Sequence, residues 1–135
     1  MSDYVENCWY VAAWDHELSA DGLFARTVCD LPLVMWLDSR GRPVVLEDRC
    51  CHRGAPLSLG RREGDCVRCM YHGLKFDGSG ACIEIPGIDT VPAKARVRSL
   101  PSVRISSTTS FSISSPGSDD ASQVCAPFLM ASKHR

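Results

Sequence analysis

Apolar residues along this chain fall in short β-branched and aromatic runs divided by turn-forming residues, and no segment sustains a 3.6-residue period. Phe24-Ala-Arg-Thr-Val28 and Leu33-Val-Met-Trp-Leu37, parted by Asp30-Leu-Pro32, have strand composition, because branched and aromatic side chains fit a pleated surface. Asp38-Ser-Arg-Gly-Arg-Pro43 supplies a Gly-containing turn into Pro43-Val-Val-Leu-Glu-Asp48, which predicts a hairpin. Leu74-Lys-Phe-Asp77 and Ala81-Cys-Ile-Glu-Ile85 flank Gly78-Ser-Gly80 and predict a second, with glycine where positive φ is needed. The helical signal is confined to the turn Asp15-His-Glu-Leu18, and there is no internal repeat. The pattern predicts an all-β, mostly antiparallel domain.

At 135 residues the chain has room for one small domain with a modest core. Its composition changes near residue 100. Residues 1–100 hold six Ser and eight of the ten aromatics, whereas 101–135 hold ten Ser, two Thr and only Phe111 and Phe128. Such a segment buries too little apolar surface to offset its ordering entropy, so 101–135 is expected to be a disordered, low-complexity tail. The competing expectation is a final edge strand within Val103 to Ile113, where some β-branched residues stand.

Lys and Arg number 15 against 16 Asp and Glu, a net charge of −1, which gives no whole-chain field to gather a polyanion; nucleic acid is not an expected partner. The N-terminus lacks the basic start of an export signal, and no run approaches the ~18 apolar residues of a membrane helix. A cytoplasmic location away from membranes is therefore expected. Eight cysteines stand out against this background, since without an export signal such residues more often bind metal than form a disulfide framework.

Between the predicted hairpins lie Cys50-Cys51-His52-Arg53-Gly54 and Cys69-Met70-Tyr71-His72-Gly73, a C-x-H and a C-x-x-H separated by the sixteen residues Arg53 to Arg68. In an extended or tightly turned backbone, positions i and i+2 share a side, and i and i+3 meet through a turn, so each loop can present one thiol and one imidazole to a common site. Gly54 and Gly73, just after the histidines, would let the backbone bend sharply. Two thiolates and two imidazoles suit a tetrahedral zinc ion or a 2Fe-2S cluster with thiolates on one iron and imidazoles on the other. Structural zinc sites usually pair like ligands, while here each loop contributes one of each, which matches a binuclear cluster.

Cys50-Cys-His-Arg-Gly-Ala-Pro-Leu-Ser-Leu-Gly60 and Cys69-Met-Tyr-His-Gly-Leu-Lys-Phe-Asp77 resemble the cluster loops of Rieske domains, specifically those at the N-terminus of Rieske non-haem iron oxygenases. Asn7-Cys-Trp-Tyr-Val-Ala12 and Gly80-Ala-Cys-Ile-Glu-Ile-Pro-Gly87 are similar to the vanillate demethylase and phthalate oxygenase branch. The resemblance implies a Rieske-type antiparallel β-sandwich over residues 5–100 with two cluster-binding loops at one tip. It also implies a 2Fe-2S cluster with Cys50 and Cys69 on one iron and His52 and His72 on the other. The function implied is electron transfer within an oxygenase (mono- or dioxygenase, or demethylase) of aromatic compound catabolism. A flavin or iron–sulfur reductase would be the electron donor, and an oxygenase catalytic subunit a further partner. A free-standing Rieske ferredoxin is the alternative, and a zinc-stabilised binding module a third.

The resemblance stops near Leu100-Pro101, short of the second iron site of such oxygenases, and 101–135 would suit a truncated or frame-shifted remnant. His16 and His134 are the only imidazoles outside the loops, and neither stands beside the other in a facial-triad pattern, so electron transfer rather than oxygen activation is expected of this chain. Cys66, at C-x-x-C spacing from Cys69, is read as a small buried hydrophobe, and Cys8, Cys29, Cys82 and Cys125 as free thiols. Trp9, Trp14 and Trp36 are expected in the core. Arg53, Arg61, Arg62 and Arg68 are either a solvated basic face or a receptor for an acidic donor.

Cys51 and Met70 stand where the family commonly has Pro, which leaves the ligands in place but loosens the loops. High-potential relatives join the two loops by a disulfide and place a Ser after the second His-Gly; here those positions are Ala55, Tyr71 and Leu74. Fewer donors to the sulfurs leave the reduced cluster less stabilised. The predicted reduction potential therefore lies in the lower part of the roughly −150 to +300 mV Rieske range and falls as pH rises into the alkaline region. Redox titration across pH measures both, and an upper-range or pH-independent potential would contradict this reading of Tyr71 and Leu74.

Overall fold

Leu33, Val34, Met35 and Trp36 are consecutive and all fully buried, a pattern that a strand with one wet face cannot produce. The structure, a computed structural model that describes residues 4–5, 8–19, 21–105 and 108–113, shows the reason. Strands β2 (Phe24–Val28), β3 (Leu31–Leu37) and β4 (Pro43–Glu47) form an antiparallel sheet in that order, with β3 in the middle. Side chains alternate across it. Leu33, Met35 and Val45 pack on one face with Ala12, Ala13, Leu18 and Leu100, and Val34, Trp36, Val44 and Leu46 pack on the other with Leu57, Val67 and Phe76. Register agrees, because Val34 faces Leu46 and Trp36 faces Val44 across the ladder while Met35 faces Val45.

Two further antiparallel sheets supply those partners. One is ordered β1 (Cys8–Trp14), β10 (Thr108–Ile113), β9 (Ser102–Ile105), and the other runs β5 (Arg61–Glu63), β6 (Cys66–Arg68), β7 (Lys75–Phe76), β8 (Cys82–Glu84). The all-β fold with antiparallel sheets is thus as the sequence predicts, and both expected hairpins are present. The helical signal at Asp15 condenses to a 3-10 turn, Asp15–Glu17. Strands β5 and β6 escape a pattern search because three residues carry no period.

At the start of the Ser-rich segment the competing expectation of a strand within Val103 to Ile113 applies, though not as an edge: β10 pairs with β1 from Cys8↔Ile113 to Trp14↔Thr108, and with β9 on its other side. Main-chain ladder bonds make this strand whatever the size of its side chains, and the folded unit extends past residue 100. Residues 114–135, with Cys125 and His134, lie outside the described residues. Of the tryptophans only Trp36 is a core residue; Trp9 is half-buried and Trp14 is 42% exposed, since both stand on β1 in an outer sheet. No helix among the described residues is long and apolar enough to cross a membrane.

The second hairpin turns on Asp77, whose carboxylate accepts from the amides of Ser79 and Ala81 at 2.9 and 3.2 Å. Gly80 follows at φ +84°, and a Cβ there would stand 2.1 Å from the Val97 carbonyl oxygen. That carbonyl cannot retreat, because the Val97 amide is bonded back to the Gly80 oxygen at 2.7 Å. Gly80→Ala is therefore expected to cost on the order of 3 kcal/mol, combining left-handed strain with overpacking. Urea unfolding measures it; a loss under about 1 kcal/mol would mean that the turn relaxes freely.

Candidate metal centre

The chain leaves β4 into a loop that carries Cys50 and His52, and leaves β6 into one that carries Cys69 and His72. The two loops close alike. In the first, the Cys50 amide donates to the Ala55 oxygen at 2.8 Å and the Gly54 amide to the Cys50 oxygen at 2.8 Å. In the second, the Cys69 amide donates to the Leu74 oxygen at 2.7 Å and the Gly73 amide to the Cys69 oxygen at 3.2 Å. Each loop thus counts four residues from its Cys to a glycine and five to the closing carbonyl. Gly54 and Gly73 take φ of +73° and +78°, the left-handed region that glycine enters at no steric cost.

Closure sends the donors to two depths. Cys50 and Cys69 are each 3% exposed and belong to the core cluster that includes Trp36, Leu57 and Phe76. His52 and His72 are exposed, with their Nδ1 atoms 3.0 Å apart and their rings edge-on at 79°. The Tyr71 ring leans on His72 at 3.9 Å between centroids. Burial pushes the Cys50 thiol up to about 11, the neighbouring Cys69 thiol adding to the shift. A thiol so placed gives up its proton when a cation arrives to replace it.

The donor set fits an iron–sulfur group. Two imidazole nitrogens bonded to one tetrahedral ion at about 2.1 Å would stand ~3.4 Å apart, close to the 3.0 Å found between His52 and His72. Two adjacent buried thiols give soft ligation on the other side. The four donors stand as a thiol pair and an imidazole pair, and among the described residues no three His, Cys, Asp or Glu side chains gather around one point. Paired donors suit a two-metal group better than a single tetrahedral ion.

Several supports were not singled out from the sequence. Asp48 accepts from the Ser58 amide at 2.7 Å and from the Ser58 hydroxyl, which ties together the ends of the first loop. Arg68 spans the base of the second: it donates to both Glu63 carboxylate oxygens at 2.7 and 2.9 Å and to the Gly73 carbonyl at 2.7 Å. The matching Cys-to-Gly spacing of the two loops was a legible signal for their shared closure. The Arg68–Glu63 pair, five residues apart, left none, because only the turn between β5 and β6 brings the two together.

Nor do the four arginines behave as one face. Arg62 donates to the carbonyls of Ser19, Gly22, Leu37 and Gly64 and lies over the Trp36 ring, and Arg61 and Arg68 are paired with Glu63, whereas Arg53 is exposed. The described cysteines are free; Cys66 is half-buried rather than fully so, and Cys82 is buried.

The family model for the Rieske [2Fe-2S] domain matches residues 8–101. Among curated relatives, the chain is 59% identical over 100 residues to the iron–sulfur subunit of the toluene-4-sulfonate monooxygenase system of Comamonas testosteroni, covering 74% of this chain and 29% of that protein. It is 46% identical over 101 residues to the oxygenase component of dicamba O-demethylase from Stenotrophomonas maltophilia, covering 74% of this chain and 30% of that one. The crystal structure of dicamba monooxygenase superposes with a TM-score of 0.78 at 39% identity, over 84% of this chain and 36% of the other. The chain spans less than a third of the length of these two curated relatives.

Glu63 also accepts from Arg61 and Lys75, and the cations, Arg68 first, hold its carboxyl down at about 2 against an ordinary 4.5. Because the folded value is the lower one, the stabilisation is complete above pH 4.5 and is lost as pH falls toward 2. Glu63→Gln is expected to reduce the loss of thermal stability across that window, read as Tm against pH. A slope identical to that of the unmodified chain would remove Glu63 from the acid response.

Proposed function

Because this chain belongs to the Rieske [2Fe-2S] domain family, we propose that it is the electron-transfer domain of an oxygenase component, with Cys50 and Cys69 on one iron and His52 and His72 on the other. The observation that carries the ligand assignment is the convergence of the two Nδ1 atoms at 3.0 Å beside a pair of buried thiols. The bound cluster supplies reversible one-electron storage.

The chain's own residues divide the remaining work. Cys50 and Cys69 keep the soft side in the core, where Trp36, Leu57, Leu74 and Phe76 exclude water. His52 and His72 turn Nδ1 inward, which leaves Nε2 of each exposed imidazole to hold or release a proton and to meet a partner's hydrogen-bonding group. The loop closures fix both rings before any partner arrives, so little reorganisation accompanies gain of charge. The relatives are parts of multi-component systems by their names, and the reading extends this to a flavin or iron–sulfur reductase as donor and a mononuclear iron site, beyond these residues, as acceptor. Aromatic acids, sulfonates or ethers are the substrate class that the relatives' names suggest for the whole assembly.

Full-length chain reconstituted anaerobically with iron and sulfide is expected to be brown-red, to hold about two irons and two sulfides, and to give a Rieske-type paramagnetic signal on reduction. Cys69→Ser is expected to lose that absorbance altogether. Stoichiometric zinc without visible absorbance would overturn the cluster assignment, and a Cys69→Ser protein with an intact spectrum would remove Cys69 from the ligand set.

A further inference from the structure

Arg68 stands immediately before Cys69, yet its side chain serves the far end of the same loop. Its Nη1 donates to the Gly73 carbonyl at 2.7 Å, one residue beyond His72. The guanidinium is itself held, with Nε and Nη2 on the two Glu63 oxygens at 2.7 and 2.9 Å and Nη2 also on Glu84 at 3.2 Å. Glu63 is braced in turn by Lys75 at 3.1 Å and Arg61 at 3.0 Å. The Arg68 side chain is 15% exposed and Glu63 25%, so this is not a surface ion pair of the kind worth almost nothing. A forked, charge-assisted contact also carries direction, which a lysine cannot reproduce.

The residue after His72 is consequently gripped on three sides. Its amide is bonded to Cys69, its carbonyl to Arg68, and a Cβ on its Cα would meet Pro86 Cγ at 2.9 Å. Gly73 in the left-handed region has no side chain with which to anchor itself, and the loop around it is exposed from Met70 to His72. The loop's own closures leave the Gly73 carbonyl unused, and it is Arg68, from outside the loop, that holds it.

We propose that Arg68, braced by Glu63, is the positioning residue of the second ligand loop: it fixes the Gly73 carbonyl, thereby sets where His72 presents Nδ1, and adds a fixed positive charge that favours the reduced cluster. The charge part of this proposal rests on the cluster reading above; the positioning part does not.

The test uses the full chain, metal-free and cluster-loaded, with Arg68→Met, Arg68→Lys and Glu63→Gln. In the metal-free chain, amide hydrogen exchange at Cys69 and Gly73 should speed up about tenfold in Arg68→Met, as expected for loss of a charge-assisted bond, and less in Arg68→Lys, while Cys50 and Gly54 stay unchanged. In the loaded protein, Arg68→Met should lower the reduction potential and Glu63→Gln raise it. Arg68→Lys should keep the potential but shift the paramagnetic g-values. Opposite signs are what a purely structural brace would not give. Unchanged exchange in the second loop, equal acceleration in both loops, or potentials that move in the same direction would overturn the proposal. If Arg68→Met does not fold, Arg68→Lys and Glu63→Gln decide it by the same readouts. If the unmodified chain takes up no two-iron cluster, the ligand reading falls, while the exchange result still decides the clamp.

Discussion

Burial of the central sheet on both faces is the constraint on which the rest of this structure depends. With Leu33 and Met35 committed to one side and Val34 and Trp36 to the other, β3 needs an apolar layer above and below. The chain meets one demand with β1 and its partners and the other with the sheet β5 to β8. The ligand loops are the connections into and within that second sheet, and their cysteines are part of the layer that covers Trp36. A site built this way has its thiols placed by the same packing that makes the core, and loosening one loosens the other.

Strands β3 and β4 and the second hairpin were legible because their residues and turns declare themselves locally, and the candidate ligands stood out because two Cys-to-His spacings followed by glycine are improbable by chance; the structure buries both cysteines and brings the two imidazoles together. What sequence could not reveal is long-range or made by the main chain. The two-sided burial of β3 was written in an uninterrupted apolar run, but an uninterrupted run does not say what lies on each face. Strand β10 has a composition that suits disorder, and its place between β1 and β9 comes from ladder bonds that are indifferent to whether Ser110 or a valine stands there. Arg68 and Glu63 look like two more surface charges until the hairpin β5–β6 folds them together.

Charge around the site is sorted by depth. Nearest the core are the Cys50 and Cys69 thiols, and burial opposes ionisation of Cys50. Around the base of the second loop stands a lattice of three cations, Arg61, Arg68 and Lys75, paired with two carboxylates, Glu63 and Glu84. At the surface the second loop projects His72 with the uncharged Met70 and Tyr71, while the first projects His52 beside Arg53. A surface brought against the second loop would displace water from rings and thioether rather than strip it from ions, so the desolvation cost there is small.

The two loops close by the same count but place histidine at different steps, two after Cys50 in one and three after Cys69 in the other. A one-residue offset within otherwise matching loops breaks the two-fold symmetry that their closures would give. It turns the rings edge-on, and it leaves His72 but not His52 against a tyrosine ring. The tip therefore has a handedness: its two imidazole edges are not interchangeable, one lying against the Tyr71 ring and the other not, so the two sides of the tip present different surfaces.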